Sequence, residues 1–121
     1  SPLVYYYLAH FAEHLGKGAE AAKDYRLARD MSPDYMFPFQ AEAIPVLRQA
    51  MQANPTDARA PYYLGNLLFD WQPDEAVKLW EQSAAMDPSF PIVHRNLGQA
   101  YLEIEKKNMP YLQILLQTLL L

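Results

Sequence analysis

Cysteine is missing from this 121-residue sequence, which excludes disulfides and thiolate metal sites; the compartment stays open, because oxidising and reducing settings both tolerate its absence. Glycine is scarce, at four residues, and none falls in a phosphate-cradling loop or a nucleophile elbow. Positive charge is short as well: ten Lys and Arg stand against fourteen Asp and Glu, a net charge of -4. No run of Lys or Arg marks a polyanion-binding or anionic-membrane surface, so neither nucleic acid nor membrane is expected as a partner. No carboxylate pair flanked by a sugar-binding aromatic stands in a readable arrangement, and no cofactor motif is found. What remains is a chain 51% hydrophobic and 20% charged, enough for one domain with a modest core.

The most informative stretch runs from Ala58 to Pro88. Tyr62-Tyr63-Leu64-Gly65-Asn66-Leu67-Leu68 is followed by a break at Gln72-Pro73 and then by Asp74-Glu75-Ala76, Trp80, Ala84 and Asp87-Pro88. Apolar residues recur at helical spacing in both halves, small residues (Gly65, Ala76) sit where two helix backbones must approach, and Asp-Pro stops the second helix. The pattern recurs with the helix-ending prolines as register. Twelve residues before Pro33, Pro55 and Pro88 stand Ala21, Ala43 and Ala76; a large apolar residue follows four on (Tyr25, Leu47, Trp80) and a small one three further (Ala28, Ala50, Ser83). The first half recurs at Tyr5, Leu8, Ala9 and Ala12, around Leu64, Gly65 and Leu68, and at Asn96-Leu97-Gly98 with Tyr101.

These residues resemble the tetratricopeptide repeat (TPR) family over nearly the whole chain. The resemblance implies an all-α, right-handed helical-repeat superhelix of about three and a half units: repeat 1 over about 2–34, an abbreviated repeat 2 over about 35–57, repeat 3 over about 58–90 and a partial repeat 4 over about 91–121. Pro55 to Pro88 spans 33 residues, but Pro33 to Pro55 only 22. Most of a first helix is therefore replaced by Asp34-Tyr35-Met36-Phe37-Pro38-Phe39, read as an abbreviated aromatic element. Helices are expected to about Leu15, from about Ala19 to Met31, from about Gln40 to Ala53, as the central pair, and from about Pro91 to Lys106. Pro45 should make the third start late or bend, since Pro deep in a helix costs about 3 kcal/mol. Trp80 is expected to anchor the core between the second and third repeats.

His10-Phe11-Ala12-Glu13-His14 has the His-x-x-Glu-His spacing of the inverted zinc metalloproteases, in which two imidazoles on one helix face hold zinc and the carboxylate acts as base. Such a site needs a third ligand from a second helix and a substrate cleft. With neither legible, no catalytic zinc site, no other metal and no enzymatic activity are expected.

The repeat instead implies a concave groove lined by first helices. In this register it draws on Tyr6, His10, Glu13, Arg59, Tyr62, Asn66, Phe69, Arg95, Asn96 and Gln99, a mixture of aromatic, amide and Arg groups suited to an extended peptide or a neighbouring domain. Asn66 and Asn96 match the two Asn positions of TPR domains that clamp a chaperone's terminal carboxylate, but Tyr62 replaces the Lys which that clamp uses.

A narrower resemblance rests on Pro33-Asp34-Tyr35-Met36-Phe37-Pro38-Phe39, Ala60-Pro61-Tyr62-Tyr63-Leu64-Gly65-Asn66-Leu67-Leu68, Trp80 and His94-Arg95-Asn96-Leu97. The chain looks like the TPR region of bacterial multidomain proteins in which a galactose-mutarotase-like, carbohydrate-associated β-sandwich precedes the repeats. It implies a non-catalytic interaction module of a larger, bacterial, cytoplasmic protein, with any chemistry residing in the β region. The alternative is a helical accessory part of a carbohydrate-active enzyme that contributes to a sugar site. A start at Ser-Pro, directly into a helix pattern, agrees with a piece of a longer protein. The apolar tail 109–121, with Tyr111, Leu112, Ile114, Leu115, Leu116 and Leu119 among its residues, is expected to be a protein-contacting surface, pairing two copies as a homodimer or, in a longer parent protein, receiving the next repeat.

Overall fold

The computed structural model describes residues 2–31, 41–108 and 117–119. Among the described residues every regular element is helical: α1 (Pro2–His14), α2 (Gly18–Asp30), α3 (Ala43–Ala53), α4 (Arg59–Leu68), α5 (Pro73–Met86) and α6 (Pro91–Asn108), with residues 117–119 helical as well. The all-α class is as the periodicity implied. The aromatic connector at 34–39 and most of the 109–121 tail lie outside the described residues. No described helix is long and apolar enough to cross a membrane.

Local chemistry sets the ends. Gly16 adopts a positive φ of 74°, the Lys17 amide donates to the Ala12 carbonyl at 2.8 Å and the Gly16 amide to Glu13 at 3.0 Å. That double closure satisfies the last carbonyls of α1 and needs a residue without Cβ at the turn. Helix α3 begins at Ala43, which leaves Pro45 in the first turn, where a missing N–H breaks no helical bond. Pro73 opens α5 with Asp74 and Glu75 behind it, carboxylates that complement the positive end of the helix dipole.

The helices stack mainly on their sequence neighbours. α1 packs on α2 and α4 on α5 as two hairpins, α3 lies between them against α1 and α4, and α6 rests on α5. The repeating small-large-small series is buried throughout: Ala21, Tyr25, Ala28; Ala43, Leu47, Ala50; Ala76, Trp80, Ser83. Each small residue lets a neighbouring backbone come close, and Ser83 uses that proximity to donate its hydroxyl to the Ala58 carbonyl at 2.6 Å.

Trp80 departs from the expectation in its location. Its indole covers Gly65 of α4, donates to the Tyr62 carbonyl at 3.3 Å and stacks on Phe69 with ring centroids 5.1 Å apart. It thus anchors α5 to α4 inside one hairpin, where the missing side chain of Gly65 makes room for the ring.

A second tie is polar and reaches far along the chain. Tyr6 on α1 donates its hydroxyl to Asp57 Oδ2 at 2.7 Å, and Asp57 Oδ1 accepts the Arg59 amide at 2.9 Å, so one carboxylate closes the start of α4 and clasps α1 to it. Both side chains are buried, and the Tyr6 ring meets Tyr63 edge-on at 6.1 Å. Burial pushes the Asp57 carboxyl above its ordinary range, against the lowering effect of its bonds from Tyr6, Arg59 and Ala60. A pKa higher in the folded than in the unfolded chain means that this group stabilises fully below about pH 4 and less as pH rises through the shifted value. Asp57→Asn keeps the shape without the titration. Denaturant unfolding at a series of pH values should show the parent losing stability relative to Asp57→Asn as pH climbs from about 4. A constant or widening advantage for the parent would contradict it.

Candidate functional site

A cleft of about 730 Å³ is lined by residues of α4 and α6 together with Trp80 of α5. Its walls include Tyr62 and Asn66 from α4, Phe69 just after it, and Arg95, Asn96 and Gln99 from α6, which sequence register alone had singled out. The spacing is the cause: residues three, four and seven apart fall on one helix face, so each helix gives the cleft a single stripe. The floor is apolar, made by Trp80, Ile92 and Ala100, and Glu103 and Leu102 lie at one end.

The polar groups are arranged in two ways. Asn96 Nδ2 donates to Asn66 Oδ1 at 3.3 Å, so the two half-buried amides bridge α4 and α6, and each amide has hydrogen-bonding capacity beyond this one bond. Arg95 and Gln99, one turn apart on α6, are exposed. Phe69 is exposed at its edge while stacked on Trp80. The cleft therefore combines an aromatic surface, amide donors and acceptors, the Arg95 cation and the Glu103 carboxylate with apolar side chains.

The other four expected groove residues are placed elsewhere. Tyr6 is fully buried and committed to Asp57, so it presents nothing to a ligand. Arg59 lies with its Cζ 5.2 Å from the centre of the Phe90 ring, a cation–π contact that holds the turn before α6. Glu13 accepts a hydrogen bond from the Tyr25 hydroxyl at 3.2 Å and another from Gln49, which ties α1 to α2 and α3. It borders a separate recess of about 220 Å³ with Arg26, Arg29 and Asn54. His10 pairs with His14 through their Nε2 atoms at 3.2 Å, and its own Nδ1 is buried without a partner. Among the described residues no group of three His, Cys, Asp or Glu stands where a metal ion could be held.

Tyr62 lines the cleft but is itself almost fully buried, wedged against Tyr63 and Phe90 with ring centroids at 5.4 and 5.0 Å. Its role is to shape the wall. Sequence reasoning had assigned Trp80 to the core alone, although its size and its place opposite Gly65 also make it the cleft floor. The chain matches no protein-family model and no curated protein at a significant level.

Proposed function

We propose that this chain is a non-catalytic interaction module of the TPR type, a superhelical scaffold that binds an extended peptide, or a segment of a neighbouring domain, in the cleft between α4 and α6. The observation that carries the reading is the cleft itself: exposed Arg95 and Gln99 beside the Asn66–Asn96 bridge, over an apolar floor. Backbone amides of an extended peptide find donors and acceptors there, one apolar side chain fits over Trp80 and Phe69, and Arg95 favours an acidic neighbour. The small-large-small series and the paired hairpins support a repeat scaffold. Arg and aromatic residues dominate interface energetics, so few contacts in such a cleft can carry binding.

Selection of a displayed library of random peptides against the whole chain tests this. Selected peptides should lose about tenfold or more in affinity for the combined variant Asn66→Ala, Arg95→Ala, Gln99→Ala, with helical circular dichroism unchanged, and should bind Lys78→Ala normally. Tyr62 is left intact because its ring is part of the packing. Peptides that bind the combined variant as well as the parent would move the site away from the cleft. Binding to a glycan array that the same variant abolishes would favour the sugar-site reading instead.

A further inference from the structure

The cleft makes no use of the His10–His14 pair on α1. The two residues stand one helical turn apart and so share a face of the helix. Their rings meet edge-on with centroids 4.4 Å apart, and the two Nε2 atoms lie 3.2 Å from each other. Burial settles which nitrogens are presented. The Nδ1 of His10 is buried and bonded to nothing, so Nε2 is the nitrogen by which this ring can be reached. His14 is exposed. Glu13 stands beside His14 in sequence, but Tyr25 and Gln49 hold its carboxylate, and it does not complete a group of three ligands.

The separation of the two nitrogens is a chelating distance. Two imidazole nitrogens bound to one ion at about 2.0–2.1 Å, at an angle between octahedral and tetrahedral, stand about 2.9–3.4 Å apart. The 3.2 Å between His10 and His14 falls inside that span before any ion is present. We propose that His10 and His14 form a two-imidazole site for one divalent transition-metal ion, bound through both Nε2 atoms with water completing its coordination. The want of a third protein ligand excludes a closed structural site and a catalytic zinc site, but not an open site of this kind. Imidazole suits Cu²⁺, Ni²⁺ and Zn²⁺, with Cu²⁺ held most tightly, whereas Mg²⁺ and Ca²⁺ take oxygen ligands and should not bind. Position adds to the attraction. His14 is the last residue of α1, where the negative end of the helix dipole favours a cation. One effect opposes it: with Nε2 on the metal the ring proton sits on Nδ1, and in His10 that atom has no acceptor, so the affinity stays below that of three-ligand sites. The bound ion ties two successive turns of α1 together beside the Gly16 closure. This site is separate from the cleft, and neither depends on the other.

Composition makes the test clean, since the chain has three histidines and no cysteine. The third, His94, lies on α6 with its Nε2 2.7 Å from the Pro88 carbonyl, and serves as the control. Calorimetric titration of the whole untagged chain with Cu²⁺, Ni²⁺ or Zn²⁺ salts should show one ion per chain with a micromolar Kd, and Mg²⁺ should give no signal. His10→Ala and His14→Ala should each weaken binding about tenfold or more, because either leaves a single imidazole, and His94→Ala should leave it unchanged. Near-saturating Zn²⁺ should raise the melting temperature by a few degrees in the parent and in His94→Ala, and in neither variant of the pair. His14 is exposed, so its variant keeps the fold, which unchanged helical circular dichroism verifies. A displaced pair, His14→Ala with Leu15→His, keeps three histidines but turns the second imidazole about 100° around the helix, and it should bind no better than His14→Ala. An ion held as tightly by His14→Ala or by the displaced pair as by the parent would mean adventitious surface binding only and would overturn the proposal. So would loss of the ion in His94→Ala, or the lack of any binding tighter than millimolar in the parent.

Discussion

Trp80→Ala should remove on the order of 3 to 5 kcal/mol of stability, because a buried aromatic lost from a packed core takes its transfer energy with it and leaves a cavity. The site cannot easily collapse to fill that space. Gly65 opposite has no side chain to move inward, and Phe69 would lose the ring on which it stacks. The Tyr62 carbonyl also loses the indole N–H it accepts at 3.3 Å. For a domain whose whole stability is about 5 to 15 kcal/mol, this is a large share, equivalent to a melting temperature lower by roughly ten to twenty degrees. A thermal melt of the variant by circular dichroism measures it. Melting within a degree or two of the parent would mean that Trp80 does not join α4 to α5.

Gly65→Ala should destabilise as well, although helix propensity alone argues the reverse. Ala is favoured over Gly inside a helix by about 1 kcal/mol. Against that, a Cβ at this position would stand 2.4 Å from Trp80 Nε1 and 2.6 Å from Cδ1, far inside van der Waals contact. The indole is pinned on one side by its bond to Tyr62 and on the other by Phe69. Overpacking of this kind costs about 1 to 3 kcal/mol, so the clash outweighs the propensity gain. The sign should invert once the ring is gone: in a Trp80→Ala background, Gly65→Ala should stabilise by about 1 kcal/mol, the propensity gain left unopposed. A double-mutant cycle by denaturant unfolding reads the coupling directly. Additive effects at the two sites would show that the ring does not lie on the glycine.

Much of this architecture could be read from the chain because it depends on local chemistry. Gly16, Pro73 and the proline stops fix helix ends through backbone geometry, and the Ala–large–small series fixes which face is buried. Pro45 was legible as a constraint on where α3 begins for the same reason. The α4 and α6 stripes of the cleft followed from helical spacing, and six of the expected groove residues meet there. What could not be read depends on partners distant in sequence. Tyr6 has the spacing of a groove residue, but Asp57, 51 residues away, claims its hydroxyl. Glu13 likewise has a groove register, and Tyr25 and Gln49 turn it to another side. A helix-face pattern says which residues share a side, not which polar partner waits opposite. Trp80 was recognised as an anchor from its column, while its neighbour across the contact was visible only once the glycine was seen beneath it.

The fit of Trp80 on Gly65 also limits the routes by which this sequence can change. Position 65 cannot enlarge while the indole lies on it, and the indole cannot shrink without leaving a void over a bare backbone. Neither substitution is easily accepted first, yet the pair together loses less than Trp80→Ala alone. The two positions are therefore free to drift only in concert, and the order in which mutations arise decides whether an intermediate survives. The exposed residues that surround the hairpin, such as Lys78 and Gln82, carry no such restriction. Descendants of one ancestral chain could thus keep this hairpin intact while nearly everything visible on its surface is replaced.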